Sequence, residues 1–191
     1  MLRATGGINT HRGAIFSLGL LVAASARYRQ LHGHAGSAAQ VCLAVPHWAA
    51  DFASAPLDAS SPGQRARMRH RVPGVREQAA AGYPVLRELA MPTLRHALEE
   101  GLTHDAALCQ TLMQLVAQID DLNLLHRGGA EGLHWAQQQA RGFLESGGAF
   151  AVGWQARLHG IGERFVARRL SPGGSADLLA CSWFLLQQEG V

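Results

Sequence analysis

The chain has 191 residues, of which 48% are hydrophobic and 16% are charged. This composition excludes an intrinsically disordered chain and predicts one globular domain, residues 1–191, with a buried core. The net charge of +3 suits a protein that binds anionic substrates, and it does not by itself indicate binding to nucleic acid.

The cysteines are far apart and lie among apolar neighbours, so they indicate neither a disulfide framework nor a zinc site. A run without charges from Ala14 to Ala26 follows Arg3 and Arg12 and resembles a secretory signal. It is shorter than the ~20 residues of a membrane span, and a polar helix start precedes it. We therefore predict a buried helix and no membrane segment. The cysteines, interpreted as reduced and buried in a cytoplasmic protein, are Cys42, Cys109 and Cys181.

Glycine and proline separate the predicted helices in the first half of the chain. We predict one helix from Arg12 to about Leu31 and a second from Ala38 to Phe52, which Pro46 kinks. A loop from Ser54 to Gly63 leads to an arginine-rich segment that is typical of a solvated helix face. The arginines of this segment are Arg65, Arg67, Arg69 and Arg71.

Two further helices are predicted at Val75–Ala81 and at Val85–Glu100, the second with a break at Pro92. Thr103 then caps the most regular helix of the chain. The apolar residues of this helix recur at helical spacing and predict one buried face. They are Leu108, Leu112, Leu115, Ile119 and Leu122.

The rest of the chain predicts helices at Glu131–Glu145, at Val152–Arg169 and from Ser171–Asp177 onward. No stretch shows the alternation of polar and apolar residues that is typical of a β-strand. The predicted fold class is all-α: a single compact domain of roughly seven or eight helices and no sheet.

Three segments place glycines and polar side chains at a helix end. They are Gly6–Gly13, Asp120–Gly129 and Ser171–Asp177. Arginine and backbone N–H groups hold phosphate oxygens, and one or two carboxylates hold a hydrated Mg²⁺ ion. The mixture predicts a site for a nucleoside triphosphate with Mg²⁺, although each segment alone is also explained as an ordinary helix start or end.

Asp120 and Asp121 are predicted to lie at the C-terminal end of the helix that Thr103 caps. The helix dipole disfavours carboxylates there, and such a conflict is expected where function overrides stability. Neutralisation by Arg127 and water is the other explanation.

Four motifs in order carry a resemblance to one family. They are Gly7–Gly13 with Phe16–Gly19, Gly74–Ala79 with Gly82–Pro84, Asp120–Asn123, and Ser171–Ala180. In these motifs the chain resembles the triphosphoribosyl-dephospho-coenzyme A synthases over nearly its whole length. It departs from their pattern where Glu77 and Gln78 stand in place of Gly and Glu, and where Leu122 replaces Thr.

The resemblance implies a pentosyltransferase with ATP and 3′-dephospho-coenzyme A as substrates. The 2′-hydroxyl of dephospho-coenzyme A attacks the ribose C1′ of ATP, and adenine leaves. The product becomes the prosthetic group of an acyl carrier protein subunit, so that subunit or its holo-transferase is a further implied partner. The run Leu124–Gly129 is more similar to the malonate decarboxylase branch of the family than to the citrate lyase branch.

Family members carry an additional N-terminal region with a Pro-Lys-Pro-Gly-type motif, whereas only Met1–Thr5 precede the first motif here. The alternative expectation is therefore a truncated, inactive copy that still binds nucleotide or carrier protein. A general nucleic-acid-binding protein is disfavoured, because the arginine run lacks the interleaved aromatic residues of a base-stacking surface.

The resemblance also implies roles for individual residues. A carboxylate near C1′ would stabilise the positive charge that develops as adenine leaves, or accept the proton of the attacking hydroxyl. The residues expected to share this role and Mg²⁺ binding, in an order the sequence leaves open, are Asp120, Asp121 and Asp177. The residues expected to bind phosphate are Asn9, His11, Arg12, Arg76, Arg127, Ser171, Gly173, Gly174 and Ser175.

Overall fold

The computed structural model describes Arg3, residues 12–54 and residues 72–190, without the side chains of Arg12 and of residues 52–54. Every regular element in this part of the chain is helical, so the predicted all-α fold is confirmed. The predictions for the loop after Ser54 and for the arginine-rich segment lie outside the described residues.

The α-helices are α1 (Arg12–His32), α2 (Ala38–Ala44), α3 (Ala49–Ser54), α4 (Val75–Ala80), α5 (Met91–Glu99), α6 (His104–Gln118), α7 (Leu122–Glu145), α8 (Trp154–Ala167) and α9 (Gly173–Gln188). A 3₁₀ helix, Val45–Trp48, joins α2 to α3, a second, Gly148–Phe150, precedes α8, and a π-helix, Leu86–Ala90, precedes α5.

Prolines mark two of the irregular stretches. Pro46 lies in the 3₁₀ helix that separates α2 from α3, as the predicted kink requires. The predicted break at Pro92 is wrong, because the backbone passes from the π-helix directly into α5. The wider π turn directly precedes Pro92 and lets the chain remain helical past a residue that cannot donate a backbone hydrogen bond.

Helix α6 lies between two hydrophobic cores. Its Leu115 belongs to a first core with buried residues of α1, α2, α5 and α9. Its Val116 belongs to a second core, which is formed with α7 and α8. The predicted cap is confirmed, since the Thr103 hydroxyl accepts a hydrogen bond from the N–H of Ala106 at 3.3 Å.

The predicted single leucine face of α6 is wrong. Because α6 has apolar partners in both cores, it is buried around most of its circumference, and Leu108 and Leu112 are only half-buried. Small and β-branched residues between the leucines fill the close contacts instead. The buried residues of α6 are Ala106, Ala107, Thr111, Met113, Leu115, Val116 and Ala117.

Helices α1 and α9 pack against each other in the first core. Leu21 and Ala24 of α1 are fully buried there, as is Leu185 of α9. The prediction that α1 is a buried helix holds for this face only, since Ile15 is 62% exposed and Val22 is 50% exposed. Among the helices that the structure describes, none is long and apolar enough to cross a membrane.

The C-terminal end of α9 is tied to three other parts of the fold. Glu189, which follows the helix, accepts hydrogen bonds from the backbone N–H of Ala38 at the start of α2 and from Arg95 of α5 at 2.7 Å. The hydroxyl of Ser25 in α1 donates to the side chain of Gln188 at 3.0 Å. These bonds fix the position of α9 along α1, α2 and α5.

Helix α7 begins earlier than predicted, at Leu122. The predicted helix Glu131–Glu145 matches the part of α7 that follows a kink at Gly129, and the helical part between Leu122 and that kink is not predicted from the sequence. Gly129 has φ 63° and ψ −163°, so the helix kinks there. Glycine adopts this conformation without steric cost, so the glycine pair at 128–129 interrupts the helical geometry of α7.

Candidate functional site

The N-terminal ends of α1, α7 and α9 meet at one place, which we call the junction. It comprises Gly13, residues 120–123 and residues 173–177. Asp177 of α9 lies against Gly13 of α1, where an added Cβ would overlap the Asp177 carboxylate. Asp121 hydrogen-bonds Ser175 of α9, 54 positions away in sequence. The described parts of the three predicted polar segments are thus adjacent in the fold.

Asp121 is 2% exposed, and its carboxylate accepts four hydrogen bonds. Oδ1 accepts from the backbone N–H groups of Asn123 and Leu124, at 2.8 and 3.3 Å. Oδ2 accepts from the backbone N–H and the hydroxyl of Ser175, at 2.8 and 2.9 Å. One buried carboxylate thereby binds the N-terminal ends of two helices, where the dipole of each favours negative charge.

The predicted position at the C-terminal end of a helix holds for Asp120, which follows the C-cap Ile119 of α6, and is wrong for Asp121. Helix α6 ends at Gln118, and Asp121 is the N-cap of α7. An N-cap is a favourable position for aspartate. The position of Asp121 is therefore explained without a function that outweighs stability and without neutralisation by Arg127. Asp120, its neighbour, is exposed.

The glycines at the start of α9 let this helix approach α7 closely. A Cβ on Gly174 would lie 3.2 Å from the Asp121 carboxylate, and one on Gly173 would overlap the amide group of Asn123. The N–H and the hydroxyl of Ser175 both donate to Asp121, so in this arrangement they do not face a phosphate. The N–H groups of Gly173 and Gly174, as the first two of the helix, have no acceptor within it.

Asp177 is the fifth residue of α9 and thus lies just beyond its first turn. Its side chain is half-buried. Burial, and secondly the Asp177 carboxylate, raise the pKa of Cys181 to about 12. The Asp177 carboxylate also contacts Gly13. It therefore lies between α9 and the start of α1, which is the segment expected to bind phosphate.

Two buried hydroxyl groups face each other beside α1: that of Ser17, one turn after Gly13, and that of Tyr83, which lies between α4 and the π-helix. Ser17 is 3% exposed, and its side chain faces the hydroxyl of Tyr83, which is fully buried. Burial raises the pKa of Tyr83 well above its ordinary value, so the phenol stays protonated at neutral pH. Tyr83 has φ 49°, a conformation that costs a residue other than glycine about 1–3 kcal/mol. Sequence reasoning assigned neither residue a role, although both lie in quoted motifs.

The cations predicted as phosphate ligands lie in neighbouring elements. Arg76 is half-buried in α4, which packs against α1. Arg127 is exposed in the first half of α7, and Ser171 is exposed just before α9. Their roles stay predictions. Asn9, His11 and the side chain of Arg12 lie outside the described residues.

The carboxylates of the junction fit an Mg²⁺ ion that is bound together with a nucleotide. Within the described ranges, no group of three or more His, Cys, Asp or Glu side chains could hold a metal ion by itself. Mg²⁺ retains several waters and takes one or two protein carboxylates plus substrate phosphates. Asp120 and Asp177 can supply those oxygens, whereas Asp121 is already fully hydrogen-bonded.

A groove of about 360 Å³ between α7 and α8 is separate from the junction and is lined by Arg157 and Arg164. Arg157 donates to the carbonyls of Gly148 and Val152 at 3.3 Å. Arg164 donates to Gln139 at 3.0 Å. Both arginines therefore stabilise the local packing of α8, and the groove adds no group to the predicted site.

The model of the ATP:dephospho-CoA triphosphoribosyl transferase family matches residues 1–190 of the chain. The chain belongs to this transferase family. The family match confirms the resemblance that the four motifs indicate, and all four motifs lie within the matched residues.

Three curated relatives of this transferase family member are similar over almost all of its length. A probable 2-(5″-triphosphoribosyl)-3′-dephosphocoenzyme-A synthase of Citrobacter koseri is 41% identical over 100% of this chain and 64% of its own length. The synthase of Klebsiella pneumoniae is 41% identical over 97% of this chain and 63% of its own. A probable synthase 1 of Salmonella choleraesuis is 38% identical over 97% and 63%.

This chain therefore spans slightly less than two thirds of the length of these curated relatives. No solved structure matches it.

Proposed function

We propose that this chain catalyses triphosphoribosyl transfer from ATP to 3′-dephospho-coenzyme A with release of adenine. The observation that carries the proposal is the junction, where Asp177 contacts Gly13 and Asp121 bonds Ser175. It brings a carboxylate of α9 to the start of α1 in a member of this transferase family. The curated relatives are named as synthases of the corresponding product.

The reaction needs a negative charge near C1′ of the ribose. As adenine leaves, positive charge develops on the sugar, and a carboxylate fixed in a partly buried position stabilises it. A carboxylate also accepts the proton of the attacking 2′-hydroxyl, which contributes typically 10²–10⁴-fold. We assign these tasks to Asp177, which is half-buried beside Gly13 at the start of α1, and to the exposed Asp120.

The triphosphate remains on the transferred ribose, so the protein must bind it without cleaving it. The N–H groups of Gly173 and Gly174 point along the positive end of the α9 dipole and suit this task. A bound Mg²⁺ ion would neutralise part of the triphosphate charge, with Asp120 and Asp177 as its protein ligands. The further phosphate ligands that we propose from the sequence are Asn9, His11, Arg12, Arg76 and Arg127.

We also propose that the product supplies the prosthetic group of an acyl carrier protein subunit, with the malonate decarboxylase branch favoured by the run Leu124–Gly129. That run lies in the first half of α7. Comparing the rate at which the product is accepted by carrier subunits of the two branches tests this assignment.

The decisive experiment measures adenine released from ATP by the full chain, with dephospho-coenzyme A and Mg²⁺, by chromatography. We expect release by the wild type and a decrease of at least ~100-fold in Asp177→Asn, because a carboxylate near C1′ is lost. Asp105→Asn is the matched control, since Asp105 is an exposed first-turn carboxylate at the opposite end of α6 from the junction.

Three outcomes separate the alternatives. Adenine release that depends on Asp177 and not on Asp105 supports the transferase. ATP binding by the wild type without adenine release favours an inactive chain that retains nucleotide binding. Equal release by Asp177→Asn and wild type contradicts the assigned role of this carboxylate.

A further inference from the structure

The Asp121 carboxylate has no unused capacity for a metal ion or a substrate. A carboxylate offers about four lone-pair positions, and Asp121 uses all four, two for the start of α7 and two for Ser175. The side chain is 2% exposed. A metal ion bound to it would displace at least one donor and leave that donor buried without a partner, which is costly.

We infer that Asp121 is a positioning residue of the transferase: it sets the placement of α9 relative to α7, and thereby the placement of the groups that contact the substrate. The inference rests on the proposed function. It differs from the sequence-based expectation, in which Asp121 itself binds Mg²⁺ or acts at C1′.

The bonds of Asp121 hold the first turn of α9 from one side. The position of Ser175 is fixed, since both its N–H and its hydroxyl donate to the same carboxylate oxygen of Asp121. Gly174 directly precedes it, and a Cβ at that position would lie 3.2 Å from the carboxylate. Asp177 follows two residues later on the same rigid helix. The hydrogen bonds of Ser175 to Asp121 form a bridge between α9 and α7, and a change in this bridge displaces Asp177 together with the N–H groups of Gly173 and Gly174.

The same carboxylate also fixes the other side of the junction. As the N-cap of α7 it orients the backbone of Asn123 and Leu124, and the exposed Asp120 is its direct neighbour. Misplacing a reacting group by about 1 Å can reduce a rate about 10²-fold. Loss of the bridge is therefore expected to lower kcat in variants of either partner, whereas loss of a metal ligand at Asp121 would raise the Mg²⁺ concentration at half-saturation in variants of Asp121 alone.

The test compares Asp121→Asn and Ser175→Ala, singly and together, in the full chain. Asparagine keeps an oxygen for the N-cap of α7, but it turns an N–H donor toward the donors of Ser175. Ser175→Ala removes only the hydroxyl bond. Ser182→Ala is the matched control, because Ser182 is also buried in α9 and its hydroxyl bonds only Leu178 of its own helix, at 2.9 Å.

We expect kcat for adenine release to fall roughly 10- to 100-fold in Asp121→Asn and by a smaller factor in Ser175→Ala. The double variant is expected to be no slower than Asp121→Asn, because both changes break one bridge. Since Asp177 is displaced together with α9, a rise in the Mg²⁺ concentration at half-saturation is expected in Ser175→Ala as well as in Asp121→Asn, and Ser182→Ala is expected to keep the wild-type kcat. An unchanged kcat in Asp121→Asn, or a half-saturation raised about ten-fold or more there and unchanged in Ser175→Ala, overturns the inference.

Amide hydrogen exchange of the chain without substrate gives a readout that does not depend on activity. Exchange over residues 173–177 is expected to be faster in Asp121→Asn and not in Ser182→Ala. If the wild type releases no adenine, the proposed function fails, and unchanged exchange in Asp121→Asn would still overturn the bridge on its own. If Asp121→Asn does not fold, Ser175→Ala decides: an unchanged kcat and unchanged exchange there overturn the inference.

Discussion

The two ends of α9 are both fixed by a carboxylate, but the partners of the two carboxylates differ in kind. At the N-terminal end, the carboxylate of Asp121, the N-cap of α7, accepts from three backbone N–H groups and one hydroxyl of the described residues. At the C-terminal end, Glu189 accepts from the N–H of Ala38 and from the guanidinium of Arg95, at 2.7 Å.

The carboxylate at the C-terminal end of α9 is neutralised by a cation, whereas the one at the N-terminal end is stabilised by helix dipoles. Arg95 neutralises Glu189, although its side chain is 42% exposed, so the C-terminal end is closed by an ion pair. Asp121 is buried at the N-terminal ends of α7 and α9, and the dipoles of both helices favour a negative charge there. The groups that we propose to contact the substrate lie at the N-terminal end of α9, which begins with Gly173 and Gly174.

The largest effect on stability is expected for Asp121→Ala. It removes a buried acceptor from four donors, and the cost of breaking such a network is about 3–5 kcal/mol of unfolding free energy. Denaturant unfolding measures it, with Asp120→Ala as the control at the exposed neighbour, where a change within about 0.5 kcal/mol is expected. Equal unfolding midpoints for the two variants would contradict the N-terminal network.

A smaller loss is expected for Glu189→Ala at the other end. Arg95 can turn toward water because its side chain is 42% exposed, so only the N–H of Ala38 loses a buried partner. We expect about 1–2 kcal/mol from this unpaired donor. Added salt should weaken the wild-type contribution of Glu189 but not that of Asp121, and the opposite salt dependence would invert the comparison.

Between its two ends, α9 contributes a buried thiol, that of Cys181, which lies in the first core together with Cys42 of α2. Burial, the largest cause, raises the pKa of Cys181 to about 12 and that of Cys42 to about 12. Both thiols therefore stay protonated in the folded protein while the unfolded chain ionises near pH 9, so stability is retained below that pH and falls as pH rises toward 12. We expect a loss of about 1 kcal/mol per thiol between pH 8 and pH 10.

Unfolding measured across this pH range checks the prediction. Cys181→Ala is expected to make the decline shallower, because it removes one of the two buried thiols. Few other side chains titrate between pH 8 and pH 10, because the chain has no lysine and its 17 Lys and Arg residues are all arginine. A decline of the same slope in Cys181→Ala would mean that this thiol ionises in the folded protein.

The smallest effects are expected for two glycine substitutions of opposite sign. Gly162→Ala in α8 has open space around the added Cβ and should stabilise the helix by about 0.5–1 kcal/mol. Gly174→Ala places its Cβ 3.2 Å from the Asp121 carboxylate and should lose that gain or reverse it. Thermal unfolding of the pair measures the close approach of α7 and α9, and equal stabilisation by both would refute it.

Much of the fold was predictable because its signals are local. The caps, glycines and apolar runs of α1, α6 and α9 lie in sequence where the helices begin and end, and the Thr103 cap is confirmed. The leucine face of α6 was not predictable in this way. Its periodicity indicates one apolar partner, and the second core exists only once α7 and α8 are packed in place.

The junction shows the same division between local and distant information. Glycine-rich polar segments identified its members, and the contacts of Gly13 with Asp177 and of Asp121 with Ser175 bring them together. The bonding of Asp121 could not be predicted, because an aspartate between two apolar runs can end one helix or begin the next. The partner that defines its role lies 54 positions away.

The bonds at the C-terminal end of α9 also bear on when the protein can fold. They join residues 94 to 163 positions apart, and closing loops of this length is slow relative to forming local helices. Leu21 and Ala24 of α1 can therefore complete their packing against α9 only after α9 has been synthesised. Until then these apolar side chains lack their partners on α9, and the junction is completed only after α9 has been synthesised.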